Sequence, residues 1–189
     1  MWYTSLMLTY QGHHMKLIKR TPSTSANPVE ADDLAAHLRV TSTEAISALR
    51  YADVAAHELE DYAAIALLDQ EIVAQGQPDE RGVAYLPIGP APAQTPTVET
   101  LDGTALPHLF TPGRHPVVTL AEPYEGEIRV TYQAGYGQNT SAIPADLQHA
   151  VLDQTMRLYD MRGDMDAPAT PAPAFARIAA RHRRVSLGS

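Results

Sequence analysis

Apolar positions change period along this chain, and each change marks an element. From Thr41 onward, Ile46, Leu49, Ala52, Ala56, Leu59, Ala63 and Leu67 recur every three or four residues, the stripe of an amphipathic helix. Thr41-Ser42-Thr43-Glu44 stands ahead of that stripe as a capping box, in which hydroxyl and carboxylate satisfy each other's backbone donors. The pattern predicts a long helix over 43–75. A shorter one is predicted over 28–40, where Asn27-Pro28-Val29-Glu30 supplies a capping asparagine, a proline at the first helical position and a first-turn glutamate. Residues 76–82, bounded by Gly76 and Gly82, break the long helix.

The period then falls to two. Val83 to Leu86, Thr97 to Leu101, Pro116 to Leu120 and Glu127 to Gln133 read as strands, with Asp102-Gly103 as a hairpin turn. They predict a small antiparallel sheet over 83–133, entered irregularly through prolines 87, 90, 92 and 96. Leu147, Ala150, Val151, Gln154 and Leu158 restore the helical period over 144–162. The expectation is therefore an α+β chain, mainly helical: a helical domain over 27–163, a small inserted antiparallel sheet, and an extended C-terminal arm over 164–189.

Composition narrows the function classes. The chain has 189 residues, 44% hydrophobic, enough for one domain with a real core plus tails. Its 22 acidic and 14 basic residues give a formal charge of −8, which argues against an overall basic DNA-binding surface. With no cysteine, disulfides, thiolate zinc sites and cysteine nucleophiles are absent. No apolar run is long enough to span a membrane. Residues 1–26 read as an N-terminal extension or arm. Their apolar start, "MWYTSLMLTYQGHH", has no preceding basic residue and no small-x-small cleavage site, and Met15 would make a natural start. His13-His14 lacks a third ligand and reads as loop.

Candidate chemistry is sparse. "AGYG", residues 134–137, ends the last strand in a G-x-G, but Gln138, Asn139 and Thr140 follow where a phosphate loop needs a third glycine or Gly-Lys-Ser/Thr. The corner reads as a turn that uses glycine's access to positive φ. No G-x-S-x-G or H-E-x-x-H occurs, and the eight histidines are scattered, so no catalytic residue and no metal or cofactor site is predicted. The long helix is acidic, carrying Glu44, Asp53, Glu58, Glu60, Asp61, Asp69 and Glu71 against Arg50. The tail is the opposite. "DAPATPAPAF" is a stiff proline-alanine linker, and "FARIAARHRR" is a short helix with four arginines that is marginal alone and folds when it docks.

Residues 15–163, through "MKLIKRTP", "NPVEADDLAAHLRV" and above all "IRVTYQAGYG" followed by Ile143-Pro144-x-Asp146-Leu147, resemble the head–tail connector (adaptor) proteins of long-tailed phages and of related gene transfer agents. The segment 75–84 is shorter than in that family. The resemblance implies a structural protein and not an enzyme, in a homo-oligomeric ring of roughly twelve copies. Such a ring sits in the particle neck, assembled in the bacterial host cytoplasm. It binds the portal protein on one side and the head-closure (stopper) protein on the other, and DNA passes through its channel without sequence-specific binding or any membrane. It also implies that Glu58, Glu60 and Asp61 face the channel, where carboxylates give phosphates nothing to hold. The tail would then bind the portal through Phe175, Arg177, Ile178, Arg181, Arg183 and Arg184. The competing readings are a nucleic-acid-binding accessory protein using the arginine-rich tail, and a small enzyme.

Overall fold

The computed structural model describes residues 15–164 and 170–184. In chain order the elements are β1 (Lys16–Pro22), α1 (Ala31–Leu38), α2 (Ser42–Ala63), β2 (Gln70–Gly76), β3 (Val83–Tyr85), β4 (Thr97–Thr100), β5 (His108–Thr111), β6 (Val117–Leu120), β7 (Ile128–Ala134), α3 (Ala145–Asp160) and α4 (Pro173–His182). Among the described residues helix accounts for 36% and strand for 25%. The class is mixed α+β, and the expectation of a mainly helical chain is corrected by the two sheets.

The capping box forms: Thr41 N–H donates to Glu44 Oε2 at 3.0 Å, and Glu44 N–H donates to Thr41 Oγ1 at 3.4 Å. The long helix ends far short of 75, at Ala63, because Ala64 takes a left-handed conformation at φ 55. Ile65 and Leu67 continue the apolar period, but as buried filler between the helical and sheet layers. Residues 70–76 then follow the strand rule, with Gln70, Ile72, Ala74 and Gly76 buried and the residues between them half-exposed. No glycine or proline marks that helix end, so periodicity overran it.

All pairing is antiparallel within two sheets, one ordered β1-β2-β7-β4 and the other β3-β6-β5. β2 sits centrally in the first, with Ile72 opposite Tyr132 and Ala74 opposite Val130. Residues 16–22 are therefore the sheet's edge strand and not part of an extension; the remainder of that expectation, residues 1–14, lies outside the described residues. Charged Lys16, Lys19 and Arg20 and an irregularity between Leu17 and Lys19 suit a strand that must not recruit another edge.

Two apolar clusters fill the interior. One, between the helices, joins Ala52, Ala55, Leu59 and Ala63 of α2 to Leu147, Ala150 and Val151 of α3 and Phe175, Ile178 and Ala179 of α4. The alanine-rich side of α2 admits these helices closely. The other lies between the sheets around Ile72, Val98, Val118, Val130 and Tyr132. Tyr132 seals it by donating its hydroxyl to Ile88 O at 2.9 Å and accepting from Ile88 N–H at 3.0 Å.

The "AGYG" corner is a point of close approach. Gly135 N–H donates to Pro90 O at 2.8 Å and Asp69 N–H donates to Gly137 O at 2.9 Å. A Cβ on Gly135 would lie 2.6 Å from the Leu68 carbonyl, and φ there is +144. The corner threads against residues 67–69 and delivers the chain to α3, which packs on α2 with Tyr51 and Tyr159 meeting edge-on at 6.0 Å.

Candidate functional site

The residues expected to meet other chains divide sharply between interior and surface. Glu60 belongs to the interior. It is 5% exposed, with Oε2 3.2 Å from Arg20 Nη1, while Oε1 accepts from Leu67 N–H at 2.7 Å and Gln70 Nε2 at 2.8 Å. Burial pushes its carboxyl above the ordinary value, against the pull of the Leu67 N–H, Arg20 and Gln70. The same Arg20 reaches Ile65 O at 3.2 Å. Glu60 thus fastens β1 and the exit of α2 together, and its expected place on the channel is corrected. Glu58 and Asp61 are exposed, although Glu58 accepts from Gln154 Nε2 at 2.7 Å and Asp61 lies 3.7 Å from Arg20.

The tail is corrected in the same way. An extended arm was expected, yet α4 lies on its own domain. Phe175 and Ile178 are 5% and 2% exposed within the helical cluster, so their apolar surface is already covered. Gln154 Oε1 caps the entry by accepting from Ala172 N–H at 2.8 Å. At the exit, Arg184 donates to Pro87 O at 2.7 Å and Leu86 O at 2.9 Å, and its own N–H donates to Ala63 O at 3.1 Å. Burial lowers the Arg184 pKa, and burial with the nearby Arg184 and Arg114 charges lowers that of His115.

Asp146 at the start of α3 completes the latch, accepting from Arg181 at 2.6 Å and lying 2.8 Å from His182 Nε2. Burial raises its pKa, but the His182 contact, the Leu147 N–H that donates to it and the Arg181 charge outweigh that, and the net shift is downward. Of the four tail arginines, Arg177, Arg181 and Arg183 are exposed, Arg181 held by Asp146 and Arg183 over the Tyr62 ring at 5.4 Å, while Arg184 is half-buried.

No helix among the described residues is long and apolar enough to cross a membrane, and no group of three or more His, Cys, Asp or Glu among them could hold a metal ion. One open surface depression, lined by Thr100, Asp102, Thr104, Tyr124 and Glu127, lies beside the β4 hairpin. Asp102 there has its pKa lowered by the Thr100 hydroxyl and Thr104 N–H, a turn-stabilising arrangement with no paired acid and base.

No family model matches the chain, and no curated protein matches it. Solved structures do. The fold is similar to that of a chain in the virion of a native gene transfer agent (GTA) particle, with TM-score 0.69 and 23% identity over 90% of this chain and 97% of that one. A chain in the neck of an empty GTA particle, computed with C6 symmetry, gives the same values. A chain in the neck of a native GTA particle, computed with C12 symmetry, gives TM-score 0.67 and 22% identity over 92% and 96%. At such identities the likeness is one of fold.

Proposed function

We propose that this chain is a structural subunit of the neck of a phage-like particle, repeated as a ring around the DNA channel between the portal and the head-closure protein. The observation that carries this reading is the end-to-end likeness: 90% of this chain aligns with 97% of a chain from a GTA virion, so whole subunits correspond and not a shared motif. The C6 and C12 symmetries of the similar necks fit a subunit repeated about an axis.

In this reading Glu58 and Asp61 are the carboxylates available to a channel, where like charge keeps DNA phosphates mobile. Portal contact falls to Arg177 on α4 and Arg183 just past its end, the exposed guanidiniums that Asp146 does not engage, on a segment that the subunit itself holds in place. Paired with carboxylates, they gain directional charge-assisted hydrogen bonds. The reading as a nucleic-acid-binding accessory protein loses support, because Arg181 and Arg184 are engaged within the subunit.

Deleting the gene in a strain that makes the particles tests the proposal. DNA-filled heads without attached tails are expected. Intact tailed particles in normal yield would overturn it.

A further inference from the structure

The three-stranded sheet has one face in the core and one that is half-exposed to exposed, with no described element packed on it. Register places Val83, Thr119 and Leu109 in one cross-strand row and Tyr85, Val117 and Thr111 in the next, so these six side chains share a face. The opposite face, with Ala84, Val118 and Leu120, is buried. None of the six is charged and none is buried; Tyr85 is 65% and Leu109 74% exposed. A two-sided apolar sheet is unusual for a chain whose formal charge is −8.

Charge and size together select the occupant. Copies of so acidic a chain repel one another, and a charge-free face is where two of them approach at least cost. The face is small: three strands about 4.8 Å apart cover far less than the roughly 800 Å² per partner of a free-standing pair. Contacts of that size hold when every copy is gripped on two sides of a closed ring. That step rests on the ring reading above.

A ring contact is heterologous, so the face must meet a different surface of the next copy. Among the described residues, the other large exposed apolar side chains that share one element are those of α2: Ile46 at 62% and Val54 at 47%, two turns apart with exposed Arg50 between them and Asp53 beside Val54, and Tyr62 at 48% further along. Ile18, Leu101 and Met156 are exposed singly on other segments. We propose that the Tyr85–Leu109 face of the β3-β6-β5 sheet packs on the Ile46–Val54 ridge of α2 in a neighbouring copy, as the subunit contact of the ring.

The chain has no cysteine, so introduced pairs report contacts without background. The full-length chain carrying both L109C and V54C, oxidised at high concentration, is expected to give a covalent ladder beyond the dimer, whereas each single variant stops at dimer or monomer. A double variant that also stops there overturns the proposal. Independently, Leu109→Asp lies on an exposed position and should leave the melting temperature unchanged while lowering occupancy of the particle neck about tenfold. Wild-type occupancy of this variant overturns the proposal, as does a complete ring that fails only to receive the next neck component, because the face would then belong to another partner. The ring reading fails by a separate result: absence of the wild-type chain from purified particles.

Discussion

Arg20 on the edge strand and Glu60 near the end of the long helix meet at 3.2 Å across 40 residues of chain. Because Glu60 also receives Leu67 N–H and Gln70 Nε2, the pair is the polar joint between the sheet and helical layers. Arg20→Ala leaves that carboxylate buried without its counter-charge and is expected to cost about 3 kcal/mol of unfolding free energy in urea titrations. Arg20→Leu combined with Glu60→Gln should cost less than Arg20→Ala alone, since no buried charge remains. A loss below about 0.5 kcal/mol for Arg20→Ala would contradict this role.

Two of the perturbed carboxylates, Glu60 and Asp146, give opposite pH dependences. Glu60 has a raised pKa, so the folded state holds more protons than the unfolded one above 4.5, and its contribution falls as pH rises through the folded value. Asp146 has a lowered pKa, so its contribution is present above 3.8 and is lost as pH falls below that. Urea titrations across pH 4 to 7 (about the range between these limits and neutrality) should show Glu60→Gln losing less stability on going up in pH than the wild type. Parallel curves would contradict the assignment.

Truncation at residue 170 should damage the domain itself. Phe175 and Ile178 lie in the helical core, and Phe175→Ala alone is expected to cost about 3 kcal/mol. The truncated chain should expose Leu59, Leu147 and Val151 and unfold at lower temperature or aggregate. An unchanged melting temperature would restore the independent arm.

The "AGYG" corner gives a position-specific test. Gly135→Ala places a methyl group 2.6 Å from the Leu68 backbone at positive φ and should cost at least about 2 kcal/mol. At Gly103 φ is +88 with nothing within 4 Å, so Gly103→Ala carries only the conformational penalty, about 1 kcal/mol. Equal effects at the two sites would show that crowding at the corner contributes nothing.

Much of this was legible locally. The start of the long helix could be read from Thr41 and Glu44 because a capping box is a contact between residues three apart. Its end could not, since Ala64 turns left-handed for reasons set by the packing of Ile65 and Leu67 between layers. The glycines of the corner were visible, but their reason, the passage of residues 67–69, joins segments about 70 residues apart in the chain (close approach by distant backbone being the usual meaning of such glycines). The tail misled for a similar cause. A ten-residue helix after a proline-rich stretch is marginal alone, and its support comes from the alanine side of α2, from Asp146 and from the carbonyls of Leu86 and Pro87. Glu60 is set apart from exposed Glu58 and Asp61 by its contacts with Arg20, Leu67 N–H and Gln70, which only the folded chain brings together.

Exposed carboxylates of α2 can be reversed without disturbing the core. Asp61→Lys should change stability by no more than about 0.5 kcal/mol, while heads carrying it should package or release DNA more slowly. Normal DNA transfer would remove Asp61 from the channel surface.

The central claim, a subunit repeated in the particle neck, is tested most directly by a cryo-electron microscopy reconstruction of the neck of particles from the producing strain. The account predicts density that accepts this fold in symmetry-related copies around the DNA channel, adjoining the portal. A neck whose every ring is built from other chains, with this fold absent, would contradict it.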